Sequence, residues 1–136
     1  MKTISPPLED RLGTLKHRFE SKEKAAIAEM LESYGIPFFY KQPMLVNESG
    51  QKTIEYADFF LPTYNGLAID YVVDTKSKIY LRKEQIYTQN QMQAVLLTRS
   101  DFYDKSWQST LYKKIERLCH RCEGRSESVA PGGPKL

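Results

Sequence analysis

Two carboxylates set among strand-forming apolar residues constrain this chain more than any other feature. Asp58 lies inside Tyr56-Ala57-Asp58-Phe59-Phe60-Leu61-Pro62, and Asp70 inside Leu67-Ala68-Ile69-Asp70-Tyr71-Val72-Val73. Carboxylates are depleted in strands, and one buried among aromatics must be paired or must bind a cation. Whether the two converge depends on register. If Asn65-Gly66 is the centre of a two-residue turn, Asp70 pairs with Leu61 and Asp58 faces the other side. If the loop is centred on Tyr64, Asp70 stands across from Asp58 with both side chains on one face. Only the second register makes a shared site. Hard cations such as Mg²⁺ bind through one or two carboxylates, keep several waters and accept phosphate oxygens. The pair is therefore the minimum for metal-assisted phosphodiester cleavage. A lysine that stabilises developing negative charge or helps deprotonate the attacking water would complete it. The candidate is Lys83, on the helix after the third strand with Arg82 and Tyr80 beside it; Lys76 and Lys78 fall on a turn.

The surrounding pattern predicts where these residues sit. Residues 1–19 form an N-terminal arm, and a helix over about 21–34 carries Ile27, Met30, Leu31 and Tyr34 on one stripe, stopped by Gly35 and Pro37. Residues 38–46 favour a strand, which Pro43 restricts to an edge or bends. Asn47 to Gly50 is a turn cluster. The second strand, about Thr53 to Leu61, alternates Ile54, Tyr56, Asp58 and Phe60 against Thr53, Glu55, Ala57, Phe59 and Leu61. A third strand covers Leu67 to Val73 and a helix Tyr80 to Gln91. The apolar run Ala94-Val95-Leu96-Leu97 predicts a strand buried on both faces. Asp104 or Ser106 can cap a last helix bearing Trp107, Leu111, Ile115 and Leu118. Residues 20–122 thus read as one core domain, and 123–136, with Pro131-Gly132-Gly133-Pro134, as a disordered tail. The class is α/β: a mixed central sheet flanked by helices, with an extra C-terminal helix.

Charge is divided along the chain. Residues 1–24 hold six basic and four acidic side chains, and residues 105–136 seven basic and three acidic. With a net charge of +3, the middle is acidic. Basic ends around an acidic centre suit an enzyme that holds a polyanion and a divalent cation together. Lys113, Lys114 and Arg117 on the last helix, with Arg82, are the candidate phosphate contacts. Cys119 and Cys122, in Cys-His-Arg-Cys with His120, lack the further pair of ligands that a structural zinc site needs. They read as reduced thiols at a helix end. No apolar run approaches the roughly 18 residues of a membrane span, and Met1 to Asp10 has no apolar signal core. A cytoplasmic protein without membrane contact is expected.

The order and motifs resemble the PD-(D/E)xK, or restriction-endonuclease-like, nucleases, whose core is an αβββαβ unit. The resemblance runs from about Phe19 to Asp101, or to Leu118 with the last helix. Ala57-Asp58-Phe59-Phe60-Leu61-Pro62 is similar to the family's Pro-Asp-Phe-x-Leu-Pro segment, and Ile69-Asp70-Tyr71 to its Ile-Glu-Tyr strand. Tyr80 to Asn90, before Ala94 to Leu97, resembles the helix and strand that close the core, and in some members the catalytic lysine lies on that helix. The resemblance implies a metal-dependent endonuclease acting on DNA. Asp58, Asp70 and the carbonyl of Tyr71 would be ligands of Mg²⁺ or Mn²⁺, Lys83 the catalytic lysine, Glu23 (or Glu20) the first-helix acid, and Gln42 a polar residue near the site. A homodimer would suit such a protein, since one small site cuts one strand. Departures from the pattern are Ala57 for proline, Val72 where the signature lysine stands, and Lys24 in the first-helix acid position with Glu23 one residue out. These allow an alternative, the same fold binding nucleic acid or a protein partner without cleavage. A third reading is an unrelated α+β scaffold with structural acids, which placement of Asp58 and Asp70 on opposite faces would favour.

Overall fold

A computed structural model describes residues 19–129, with side chains for residues 19–119. It divides into a unit ending at Gly35 and a unit beginning at Ile36. Most of the predicted N-terminal arm lies outside the described residues.

In the first unit, α1 (Lys22–Ser33) starts where the Ser21 hydroxyl accepts from the Lys24 N–H at 3.1 Å. It stops at Gly35, whose φ of 71° ends the helix at little cost for a residue without a side chain. Ile27, Met30 and Leu31 are buried as the stripe predicts, whereas Tyr34, at the C-cap, is 40% exposed.

The second unit is an α/β domain built on four strands, β1 (Phe39–Glu48), β2 (Gln51–Leu61), β3 (Leu67–Tyr71) and β4 (Ala94–Leu97), in that spatial order. β1 and β2 pair antiparallel through Ser49 and Gly50, whose φ values of 54° and 83° match a two-residue turn with both central residues left-handed. Pro43 is accommodated because β1 is an edge strand. β2 and β3 are antiparallel, and β3 and β4 parallel, so the last step needs a crossover, supplied by α2 (Lys78–Gln89). β4 is itself an edge: Val95 and Leu97 are buried, while Ala94 and Leu96 are only half-buried. A short 3₁₀ turn over Arg99–Tyr103, held by a Thr98–Asp101 capping box that the sequence pattern did not reveal, leads into α3 (Trp107–Val129). Leu111 and Ile115 are its buried stripe. The α3 backbone remains helical through Val129, beyond the boundary at 122 that composition suggested, since proline returns only at Pro131. Among the described residues no helix is long and apolar enough to cross a membrane.

Two details position the site. Leu61 pairs with Leu67 and Phe59 with Ile69, so the loop is centred on Tyr64, the register that sets Asp58 across from Asp70. Pro62–Tyr64 form a 3₁₀ turn, and left-handed Asn65 and Gly66 return the chain, with Gly66 N–H on the Leu61 carbonyl at 3.0 Å. Secondly, the alternation of β2 changes phase. Ala57, Asp58 and Phe59 are all buried, and Ala57 packs in one cluster with Phe60, three positions on, and with Tyr87. The irregularity faces Lys41, a left-handed residue (φ 59°) lying between the pairs Tyr40–Phe59 and Gln42–Ala57. Ile54 and Tyr56 consequently face solvent while Asp58 is buried, although simple alternation puts them on one side.

Candidate functional site

Beyond the pair Phe59–Ile69 the two carboxylates take over the ladder. The Asp58 N–H donates to Asp70 Oδ1 at 2.7 Å, and the Tyr71 N–H donates to Asp58 Oδ2 at 2.9 Å. Each aspartate thus satisfies a backbone donor on the other strand, as a buried backbone N–H requires.

From α2, the Ser77 hydroxyl caps the helix start by accepting from the Tyr80 N–H, and the helix then presents Lys83 and Tyr87 one turn apart. Lys83 Nζ lies 3.3 Å from Asp70 Oδ1 and 2.9 Å from Glu55 Oε2, and it donates to the Tyr56 carbonyl at 2.7 Å. The Tyr87 hydroxyl donates to Asp70 Oδ2. Asp70 is fully buried, and Asp58 and Glu55 nearly so. Burial pushes the Asp70 carboxyl above the usual carboxylate range and the Asp58 charge adds to this, against the pull of the Lys83 ammonium. Burial alone would lower Lys83, but the carboxylates of Asp70 and Glu55 hold it above its ordinary value. Burial, followed by the Asp70 charge, raises the Tyr87 hydroxyl.

Arg82, beside Lys83, grips the hairpin instead of facing away from it. Its Nε and Nη2 meet the two carboxylate oxygens of Glu48 at 2.8 and 3.0 Å, and Nη1 meets Glu55 Oε1 at 3.0 Å. Asn90, at the end of α2, accepts from the Asn47 N–H at 2.8 Å and donates to the Asn47 carbonyl at 2.9 Å. Three polar residues of α2 and the asparagine that caps it therefore hold the β1–β2–β3 surface.

The structure thus brings together Asp58, Asp70, Tyr71 and Lys83. Gln42 is on β1 opposite Ala57, with its side-chain amide turned to the Pro43 carbonyl. Glu23 is in the first turn of α1, in the other unit, where a carboxylate suits the helix dipole; Glu20 pairs with Lys24 at 3.3 Å. On α3, Lys113 and Arg117 are exposed, and half-buried Lys114 lines a small cavity with Asp101, Asp104 and Trp107. Cys119 is a half-buried thiol, and the side chains of His120 and Cys122 lie outside the described set.

Sequence reasoning missed Glu55 and Tyr87. Glu55 carries the same signal as the two aspartates, an acid between Ile54 and Tyr56 in a strand, but simple alternation places it on the face opposite Asp58. As donors, two carboxylates and the Tyr71 carbonyl suit a hard divalent cation. Among the described residues no group of three or more His, Cys, Asp or Glu is placed to hold a metal ion. An ion on this pair would therefore take most of its shell from water and phosphate, as Mg²⁺ does.

No family model, curated protein or solved structure matches the chain.

Proposed function

We propose that this chain is a metal-dependent endonuclease with a restriction-endonuclease-like core, acting on DNA in the cytoplasm. One observation carries the reading: the loop register sets Asp58 across from Asp70, and Lys83 reaches the same Asp70 oxygen from the next helix. Two hard carboxylate donors and a cation at one point are the parts that phosphodiester hydrolysis needs.

Asp58, Asp70 and the Tyr71 carbonyl would hold Mg²⁺ or Mn²⁺. Such an ion, when bound, supplies Lewis acidity toward a phosphoryl oxygen and makes water a nucleophile at neutral pH. Lys83 provides a fixed positive charge for the negative charge that develops on the phosphate. Glu55 and the Tyr56 carbonyl keep that ammonium in place, and Tyr87 fixes the Asp70 carboxylate. A second copy would supply a second site for the other strand.

The test is incubation of the purified chain with plasmid and branched DNA in Mg²⁺ or Mn²⁺. Cleavage is expected, with a loss of at least about 100-fold on Asp70→Asn or Lys83→Gln. No metal-dependent cleavage, or cleavage indifferent to both substitutions, overturns the reading.

The complete burial of Asp70, with both oxygens already accepting hydrogen bonds, favours a second reading: a module of the same fold that binds without cutting. Its signature is a melting temperature that Mn²⁺ leaves unchanged.

A further inference from the structure

The outer side of the β1–β2 ribbon is built the wrong way round for a surface. Among the described residues β2 pairs with β3 only over Phe59 to Leu61, so from Gln51 to Ala57 its one paired neighbour there is β1. On this two-stranded ribbon, the cross-strand pairs Pro43–Tyr56, Leu45–Ile54 and Asn47–Lys52 share one side, because directly opposed residues point the same way. Leu45 is 65% exposed, and Ile54 and Tyr56 are each 51% exposed. The ribbon is not waiting for α2 to cover this side. Its other side already carries Met44 in the core and the Glu48–Arg82 and Glu55–Lys83 ion pairs.

Charge selects the partner. The ribbon's carboxylates are turned inward: Glu48 and Glu55 face Arg82 and Lys83, and Asp58 accepts from Tyr71. Lys52 stands beside the Leu45–Ile54 pair on the outer side, and exposed Lys41 marks the far end, 5.8 Å over the Tyr40 ring. A second copy laid face to face would bring lysine against lysine. An anion with flat apolar groups meets both features, and a nucleic-acid strand is such a ligand. Tyr56 also links this side to the site, since its carbonyl takes the Lys83 ammonium and Asp58 follows two residues on.

We propose that the outer side of the β1–β2 ribbon binds single-stranded nucleic acid, with a base stacked on Tyr56, Leu45 and Ile54 beneath its neighbours, and Lys52 on a phosphate. Aromatic platforms flanked by cations recognise unpaired strands in this way. The proposal rests on the nucleic-acid part of the reading above and not on cleavage.

The test is fluorescence anisotropy of a labelled single-stranded oligonucleotide of about 20 nucleotides, longer than the roughly 4–16 that a small domain covers. The full chain is titrated in EDTA, with a duplex of the same sequence as comparison. Tyr56→Ala is expected to weaken binding about tenfold. Lys52→Gln, an exposed change that leaves the fold intact, is expected to lower the slope of log affinity against log salt by about 0.7. Single-strand binding that both variants leave unchanged overturns the proposal, as does binding confined to duplex. So does absence of single-strand binding, and a concentration-dependent dimer in sedimentation that Ile54→Glu abolishes would then assign the surface to a second copy. Cleavage is scored separately in Mg²⁺. Ribbon-dependent binding without cleavage removes the nuclease reading alone, and cleavage with ribbon-independent binding removes this surface alone.

Discussion

The two sides of one hairpin obey opposite rules. Inward, β2 buries Glu55 and Asp58 against Lys83, Arg82 and backbone donors; outward, the same strand exposes Ile54 and Tyr56. Burying charges is costly even when they are paired, and apolar residues of equal volume in their place would often be as stable or more so. Leaving large apolar side chains in water forgoes stabilisation of about 1.5–3 kcal/mol each. Stability alone would exchange the two sets. The hairpin thus carries a charged cluster facing α2 and an apolar side facing solvent, the two features on which the proposed site and the proposed binding surface are built.

If that contrast is sound, substitutions on the inner side should cost far more than those on the outer. The largest effect is expected for Lys83→Met, which leaves Asp70 and Glu55 without their shared cation. A loss of about 3–5 kcal/mol in urea denaturation is predicted, and a loss below about 1 kcal/mol would mean the cluster is looser than its distances imply. Next is Tyr87→Phe, which removes the donor to Asp70 Oδ2 and is expected to cost about 1–3 kcal/mol.

High pH acts on the same side. Lys83 and Tyr87 bind their protons more tightly in the folded chain than at their ordinary values of 10.5 and 10.0. Their contribution is therefore complete below those values and lost as pH rises through the elevated folded ones. Melting temperature in EDTA should fall above about pH 10, and it should fall less steeply in Lys83→Met. A parallel decline in both proteins would detach the alkaline loss from this lysine.

Arg82→Ala should cost no more than about 1 kcal/mol, because the arginine side chain is 46% exposed and solvent screens its pairs with Glu48 and Glu55. The smallest effect belongs to the outer side. Leu45→Ser and Ile54→Thr should each change stability by about 0.5 kcal/mol or less. A cost above about 2 kcal/mol at either would show that the platform is a packed surface and dissolve the contrast.

The fold is most legible in the sequence where local chemistry decides structure. Ser21 and Gly35 bracket α1, Pro43 stands on an edge strand, and Asp58 and Asp70 sit in adjacent strands because the runs around them are strand formers. Sequence alone leaves the register open. Asn65-Gly66 fits a two-residue turn equally well, and the 3₁₀ turn of Pro62–Tyr64 selects the longer return. Glu55 escaped because side-chain alternation assumes an unbroken strand. The phase change opposite Lys41 that places it with Asp70's lysine is a tertiary feature, with no periodicity to announce it. Arg82 is legible as a cation beside Lys83 but not as an ion-pair partner: the acids that hold it, Glu48 and Glu55, are distant in the chain and meet it only once β1 and β2 pair.

The most direct measurement is titration of the metal-free chain with Mn²⁺, following the loss of the free-ion signal in electron paramagnetic resonance. The native chain should withdraw one ion per molecule, and Asp70→Asn, still folded by circular dichroism, should withdraw none. Equal withdrawal by both chains, or none by the native one, would contradict a metal site between Asp58 and Asp70.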